Sequence, residues 1–312
     1  MMQFLMRAMG TDCLLLLHGP EDHPPARDAL ARAAQQVCEY EDRFSRFRPD
    51  SELSRLNESP QESVRVGPEL GDLLARSLNY ARMSGGLFDP VVLDDLVALG
   101  YDRTFEEVRA RAQRKVGLLE APRFRWRDVL VDASRREVTR PSGARVDLGG
   151  IAKGAAADAA IAELSSYPGA LVDLGGDIRV SGRPDDADFW IIAVEDGQGG
   201  NGPLGYIRLS DGAVATSSLR KRRWVHDGET VHHIIDPRSG QPARSNVLQC
   251  SAIADTAEHA EVAAKVGFIR GPGSLDENDE LAKALGVRGV GWLTLDGTYR
   301  RISGWRKHEL DF

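Results

Sequence analysis

Apolar positions along the chain keep two rhythms. From Pro25 to about Phe44, Leu30, Ala33, Ala34, Val37 and Tyr40 or Glu41 recur every three or four residues, as on one face of a helix. Leu70–Met83 keeps the same spacing and stops at Ser84-Gly85-Gly86, a glycine termination. Alanine-rich Ile151–Leu164 and Thr256–Phe268 complete the predicted helices. Short apolar stretches bounded by Gly, Pro or Asp read as strands: Cys13–Leu17, Leu171–Val172, Trp190–Val194, Tyr206–Leu209, Val214–Ala215 and Val247–Ala254. Val129–Asp132 is expected to pair with Glu137–Thr139 around Ser134–Arg136. Gly291–Leu295 is expected to pair with Tyr299–Ile302 around Asp296-Gly297. Val146–Asp147 reads as the end of a further strand, and Ser45–Asn57 as a polar loop. Gly197–Gly202 and Gly271–Glu280 read as mobile loops. Strands mixed irregularly with helices predict an α+β fold with largely antiparallel sheets. No segment is long or biased enough to mark a linker, so one domain over residues 1–312 is expected, built as one body or as two lobes.

Composition narrows the function classes. The 312 residues are 42% hydrophobic and 28% charged, an ordinary globular balance with ample core. Net charge is −7, and only Arg220-Lys221-Arg222-Arg223 offers a short basic run, which argues against a nucleic-acid partner. Leu14–Leu17 is the longest leucine run, far short of the about 20 apolar residues that span a bilayer. Met1–Gly10 lacks the apolar stretch of a signal peptide. Cys13, Cys38 and Cys250 are too scattered for a disulfide framework, so the expected compartment is the reducing cytoplasm.

Four segments carry candidate chemistry. Val146-Asp147-Leu148-Gly149-Gly150-Ile151-Ala152-Lys153-Gly154 reads as a strand, a tight glycine turn and a helix start whose N–H groups favour a phosphate, with Lys153 adding charge. It matches neither the P-loop nor the Rossmann glycine spacing, and a turn with a surface lysine explains it equally well. In His232-His233-Ile234-Ile235-Asp236-Pro237 a histidine and an aspartate three apart suit a base and an orienting acid, although Asp-Pro and Ser239-Gly240 are also ordinary turn residues. Ser84–Pro90 ends a helix but leaves Phe88 and Asp89 unexplained. Arg46-Phe47-Arg48 puts an aromatic where it can face a ring. Asp-Leu-Gly-Gly occurs twice, at Asp147–Gly150 and Asp173–Gly176.

In order, the chain reads Met9-Gly10-Thr11, Phe47–Asn57, Gly85–Pro90, Asp147–Gly154 with Asp158, Asp173–Asp177, Ala215–Ser217 and His233–Pro237. This series resembles the FAD:protein FMN transferase (ApbE) family from about Met9 to Gly271. The resemblance implies mixed α/β lobes around a flavin-binding cleft. It also implies transfer of FMN from FAD to a Ser or Thr hydroxyl of an acceptor flavoprotein, with AMP released. It assigns Met9, Phe47, Leu87, Phe88, Asp89, Asp147, Lys153 and Ile235 to the flavin nucleotide, and the carbonyl of Gly150 to Mg²⁺. His233 and Asp236 match the segment that activates the acceptor. Two rivals share these residues: an FAD pyrophosphatase using water, and a flavin binder without turnover.

One departure stands out. Many family members carry Ala-Asp-x-x-x-Thr on the late helix, where Asp and Thr ligate Mg²⁺. Here the stretch is Ala260-Glu261-Val262-Ala263-Ala264-Lys265, and an ammonium has no lone pair for a hard cation. Three readings follow: Mg²⁺ with fewer protein ligands, Lys265 in the metal's place, or a site that binds flavin without turnover. Glu261 and Lys265 are also spaced for a plain helical ion pair, and a shifted register would pair Asp255 with His259. Ser218, where a glycine often follows Thr-Ser, is a smaller departure.

Overall fold

Alternate burial along Thr11–His18, with Cys13, Leu15 and Leu17 inside, marks a strand with one face on a core. The computed structural model describes residues 1–19, 24–110, 124–200, 202–220 and 222–310. They divide into two units. Unit 1 is Met1–Glu41, Ile151–Ser218 and Asn246–Phe312; unit 2 is Asp42–Gly150 and Leu219–Ser245.

Unit 1 is built on an eight-stranded sheet of β1 (Met2–Ala8), β2 (Thr11–His18), β3 (Gly169–Leu174), β4 (Asp177–Gly182), β5 (Asp211–Ser218), β6 (Val247–Ala254), β7 (Gly289–Thr294) and β8 (Tyr299–Arg301). Each strand pairs antiparallel with the next in this series, so the sheet is a meander. The chain of unit 2 interrupts it twice, between β2 and β3 and between β5 and β6. Trp190–Val194, Gly205–Leu209 and Glu309–Leu310 form a separate three-stranded sheet. The fold is α+β with antiparallel sheets, as the mixed element order predicts.

Helices α1 (Pro24–Phe44), α2 (Ala152–Glu163) and α3 (Ala257–Arg270) join the main sheet in one core with Leu15, Leu17, Val172 and Leu174. α2 and α3 show little amphipathic stripe because they are buried nearly all round. Their small residues allow close approach: a Cβ on Gly154 would lie 2.4 Å from the Ala257 carbonyl oxygen. Each helix also caps the other. Asp158 of α2 accepts the Ala257 and Glu258 N–H groups, both at 2.9 Å, at the start of α3. Glu261 of α3 accepts the Gly154 N–H at 2.9 Å in the first turn of α2. Both carboxylates thereby satisfy donors that a helix start leaves unpaired.

Unit 2 holds the helices Glu52–Glu58, Pro68–Met83, Leu93–Ala98 and Phe105–Ala110, with a small sheet of Ser63–Arg65, Glu137–Thr139 and Leu130–Asp132. The predicted hairpin around Ser134–Arg136 is present, and Asp132 accepts the Ser134 and Arg135 N–H groups at 3.0 and 3.1 Å. Three sequence expectations fail. Ser51–Asn57 is not a loop but most of a helix, N-capped by Ser51 and seated on buried Leu53 and Leu56. Val146–Asp147 is not a strand. The Asn57 side chain bonds the Val146 N–H and C=O, both at 2.8 Å, doing what a partner strand would do. Gly271–Glu280 runs into the helix α4 (Leu275–Leu285), started by a capping box of Ser274 and Glu277, a Ser-x-x-Glu signal legible in the sequence. Asn201 of the Gly197–Gly202 loop and Lys221 of the basic run lie outside the described residues.

Gly154→Ala separates two outcomes by sign. Alanine in an open helix position would stabilise by about 1 kcal/mol, whereas overpacking against Ala257 costs about 1–3 kcal/mol. A lower midpoint in urea unfolding is expected; a raised one would refute the close approach.

Candidate functional site

In unit 2, the segment after α1 delivers a stacked cation. The Arg46 guanidinium lies 4.1 Å from the centroid of Phe47 and 4.6 Å from that of Tyr101, and Tyr101 packs on Trp224 at 5.3 Å. Arg46 also holds Asp147, Nε to Oδ2 at 2.6 Å, with both side chains largely buried. Asp147 is fixed further by its own N–H to the Pro90 carbonyl (2.8 Å) and by the Gly149 N–H to its Oδ1 (2.7 Å). Phe47 and Asp147, both sequence candidates, are therefore joined by Arg46, whose part the sequence reading missed. Its signal was the arginine beside the aromatic, able to stack on a ring and pair with a carboxylate at once.

Leu87, Phe88 and Asp89 follow the predicted helix stop, where Gly85 and Gly86 take φ of 63° and 87°. Leu87 is half-buried, but Phe88 and Asp89 are each only 5% exposed. Asp89 spends its two oxygens on the N–H groups of Val91 (2.8 Å) and Trp126 (3.2 Å). Burial outweighs those bonds and pushes its pKa up to about 6. The pairing of Phe88 with Asp89 is thus first a device of the fold.

The two adjacent histidines differ. His232 accepts the Ile234 N–H at Nδ1 (3.3 Å) and faces the Ala243 carbonyl with Nε2 (3.1 Å), and burial lowers its pKa. It is a neutral ring that shapes the turn. His233 is half-buried. Asp236 accepts three contacts from the Arg238 guanidinium: Nε to Oδ1 at 2.9 Å, Nε to Oδ2 at 3.2 Å and Nη2 to Oδ2 at 2.7 Å. That guanidinium holds its carboxyl below the usual range, so Asp236 is a poor proton acceptor at neutral pH. Ile235 is buried in a two-residue strand opposite Pro242.

Unit 1 carries the other candidates. Met9, with φ of 52°, and Gly10, with φ of 69°, form the two-residue turn between β1 and β2, a left-handed pair that glycine-rich turns usually supply. Lys153 does not stand free at the start of α2: its Nζ contacts Asp177, and Glu261 Oε1 at 3.2 Å. Lys265 Nζ donates to the same oxygen at 3.0 Å. Glu261, 1% exposed, thus binds two ammonium groups on Oε1 and the Gly154 N–H on Oε2. Burial penalises this carboxylate, but Lys153, Lys265 and that N–H prevail and hold its pKa well below the usual range. Asp177, missed as a site residue, was visible as the second acid of Asp173-Leu-Gly-Gly-Asp177.

These residues do not fit a divalent cation. Both oxygens of Glu261 are taken, Asp177 is paired with Lys153, and Lys265 offers no lone pair where family members have threonine. No group of three or more His, Cys, Asp or Glu side chains suited to a metal exists among the described residues. The shifted register does not supply one, since Asp255 is bound to Arg288 at 2.6 Å. Gly150 closes the first segment of unit 2. Ser218 ends β5 opposite Gln249 as an ordinary strand residue. The two Asp-Leu-Gly-Gly strings also differ: Gly175 and Gly176 turn β3 into β4 with positive φ, whereas Gly149-Gly150 leads into α2.

A sequence profile of the ApbE family matches residues 9–286. The chain belongs to the ApbE family. It is 31% identical to an FAD:protein FMN transferase of Treponema pallidum, over 84% of this chain and 77% of that protein. It is 30% identical to one of Rhodobacter capsulatus, over 88% of this chain, and spans about half (52%) of that relative. Its backbone matches the ApbE protein of Thermotoga maritima with a TM-score of 0.85 at 27% identity, covering 99% of both chains. A flavin transferase ApbE of Vibrio cholerae shares the fold at a TM-score of 0.80 and 20% identity, over 98% of each chain.

Because the native Asp89 binds a proton more tightly than the unfolded one, this group favours the fold at low pH and loses that contribution as pH rises through about 6. Relative to Asp89→Asn, the wild type should gain roughly 1 kcal/mol of unfolding free energy between pH 7.5 and pH 5. Urea titrations of both proteins at the two pH values would show it, and parallel pH dependences would overturn it.

Proposed function

We propose that this chain is an FAD:protein FMN transferase that moves FMN from FAD to a serine or threonine hydroxyl of an acceptor protein. The family match over residues 9–286, with 31% identity to the treponemal transferase, carries this reading. In the reaction, the acceptor oxygen bonds to the FMN phosphorus and the pyrophosphate P–O bond breaks. AMP departs with the bridging oxygen, and a base takes the hydroxyl proton. We assign that proton to His233. Asp236, already paired with Arg238, orders the turn instead. Phe47, Leu87, the backbone at Phe88–Asp89 and Ile235, and Asp147 held by Arg46 are assigned to the flavin nucleotide. In unit 1, Met9 and Lys153 are the residues assigned to a flavin nucleotide. Mg²⁺ is left out of the assignment because Glu261, Asp177 and Lys265 do not offer it a ligand set.

No described helix is long and apolar enough to cross a membrane. We place the protein in the cytoplasm. Of the three cysteines expected to be buried, Cys13 and Cys250 are, with burial pushing the Cys13 pKa up to about 11, whereas Cys38 is exposed on α1.

The purified chain should be incubated with FAD and an extract of its own cells lacking the gene. Flavin fluorescence that stays with a protein band through denaturing electrophoresis, with matching AMP, is the expected result. AMP formed equally without extract would make it an FAD pyrophosphatase, and bound FAD with no AMP a flavin binder; either overturns the transferase. Within this assay, His233→Ala should lower transfer about 10²–10⁴-fold and Asp236→Asn less than about tenfold. Equal losses would reverse the two roles.

A further inference from the structure

We propose that Lys153 and Lys265, rooted on the buried carboxylates of Glu261 and Asp177, form a fixed pair of ammonium donors that binds a nucleotide pyrophosphate without a divalent metal. This rests on the flavin-nucleotide reading above and concerns how the charge of that nucleotide is met.

Three observations converge. First, the ammonium groups are held in place. Both lie within 3.2 Å of Glu261 Oε1, so they stand within about 6 Å of each other, near enough to serve one pyrophosphate. Second, the group is asymmetric in exposure. The carboxylate side chains are 2% and 4% exposed, whereas each lysine is 18% exposed. The carboxylates lie deeper than the two lysine side chains. Third, Lys265 donates only to Glu261 among the described residues, and an ammonium carries three N–H donors. Donors remain for an anion.

A plain ion pair does not account for this arrangement as well. An i,i+4 pair on a helix surface contributes a few tenths of a kcal/mol, and buried pairs often contribute nothing net. Glu261 is already partnered by Lys153 and by the Gly154 N–H, so Lys265 is not needed to complete its hydrogen bonding. What Lys265 adds is one positive charge at the position where family members place a metal-ligating hydroxyl. Where the family resemblance implies a mobile ion, the charge here is covalently attached. The two solutions exclude each other, because an ammonium beside Glu261 repels a divalent cation.

The test uses the full chain stripped with EDTA, and three further proteins: Lys265→Thr, Lys265→Arg and Lys265→Gln. FAD affinity is read from flavin fluorescence in EDTA and in millimolar Mg²⁺, and metal binding from the electron paramagnetic resonance of added Mn²⁺. Wild type should bind FAD within about twofold in the two buffers and bind no Mn²⁺. Lys265→Thr should lose about tenfold or more in EDTA, about 1.4 kcal/mol, recover in Mg²⁺ and bind Mn²⁺. Lys265→Arg should keep metal-free binding. If Lys265→Thr does not fold, Lys265→Gln gives the comparison in EDTA, and the wild-type comparison needs no variant. Wild-type FAD binding that requires Mg²⁺, Mn²⁺ bound by the wild type, or Lys265→Thr and Lys265→Gln equal to wild type in EDTA would each overturn the inference alone. FAD bound in neither buffer would overturn the proposed function and this inference with it.

Discussion

The mutual capping of α2 and α3 is the constraint on which unit 1 depends. A helix start needs acceptors for its unpaired N–H groups, and here each start is served by a carboxylate from the other helix. That exchange is geometrically possible only because Gly154 lets the backbones touch. With Asp158 half-buried and Glu261 buried as anions, cations must follow; Arg179 and Lys153 take those places, and Lys265 is added beyond that need. The charge group of the candidate site is thus a consequence of how two helices pack.

Unit 2 meets the same problem, a charge removed from water, with stacking. Arg46 lies against two aromatic faces and pins Asp147, while Arg140, 1% exposed, donates to the carbonyls of Leu56 and Ser59 at the end of the Glu52–Glu58 helix. Guanidinium groups suit this role because they are weakly hydrated and planar. The consequence is that Asp147 has little rotational freedom.

How much was legible in the sequence follows from where the information lay. Helix α1 was readable from its apolar spacing, α3 from a run of helix-forming residues behind Thr256, which caps it, and the strand Val247–Ala254 from its apolar run. Val146–Asp147 misled because its apolar look came from burial, while its backbone is satisfied by a side chain 89 residues earlier, which no local pattern reveals. Strand β1 was missed since Gln3, Phe4 and Leu5 are exposed and carry no alternation. The family was visible in the order of its motifs, and Glu261–Lys265 in its departure from them. That Lys153 and Lys265 share one oxygen was hidden by the 112 residues between them, and the Arg238 clamp on Asp236 was overlooked although only two positions away.

The twice-interrupted meander has a kinetic side. β2 and β3 are neighbours in the sheet, with His18 opposite Gly169, yet about 150 residues separate them. On the ribosome, the first hairpin must wait with an open edge until most of unit 2 has emerged. Loop-closure entropy grows only slowly with such a detour, by about 0.6 kcal/mol per doubling, but long-range pairing slows folding and leaves strand edges exposed meanwhile. A chain of this design leaves the edge of β2 unpaired for longest during synthesis.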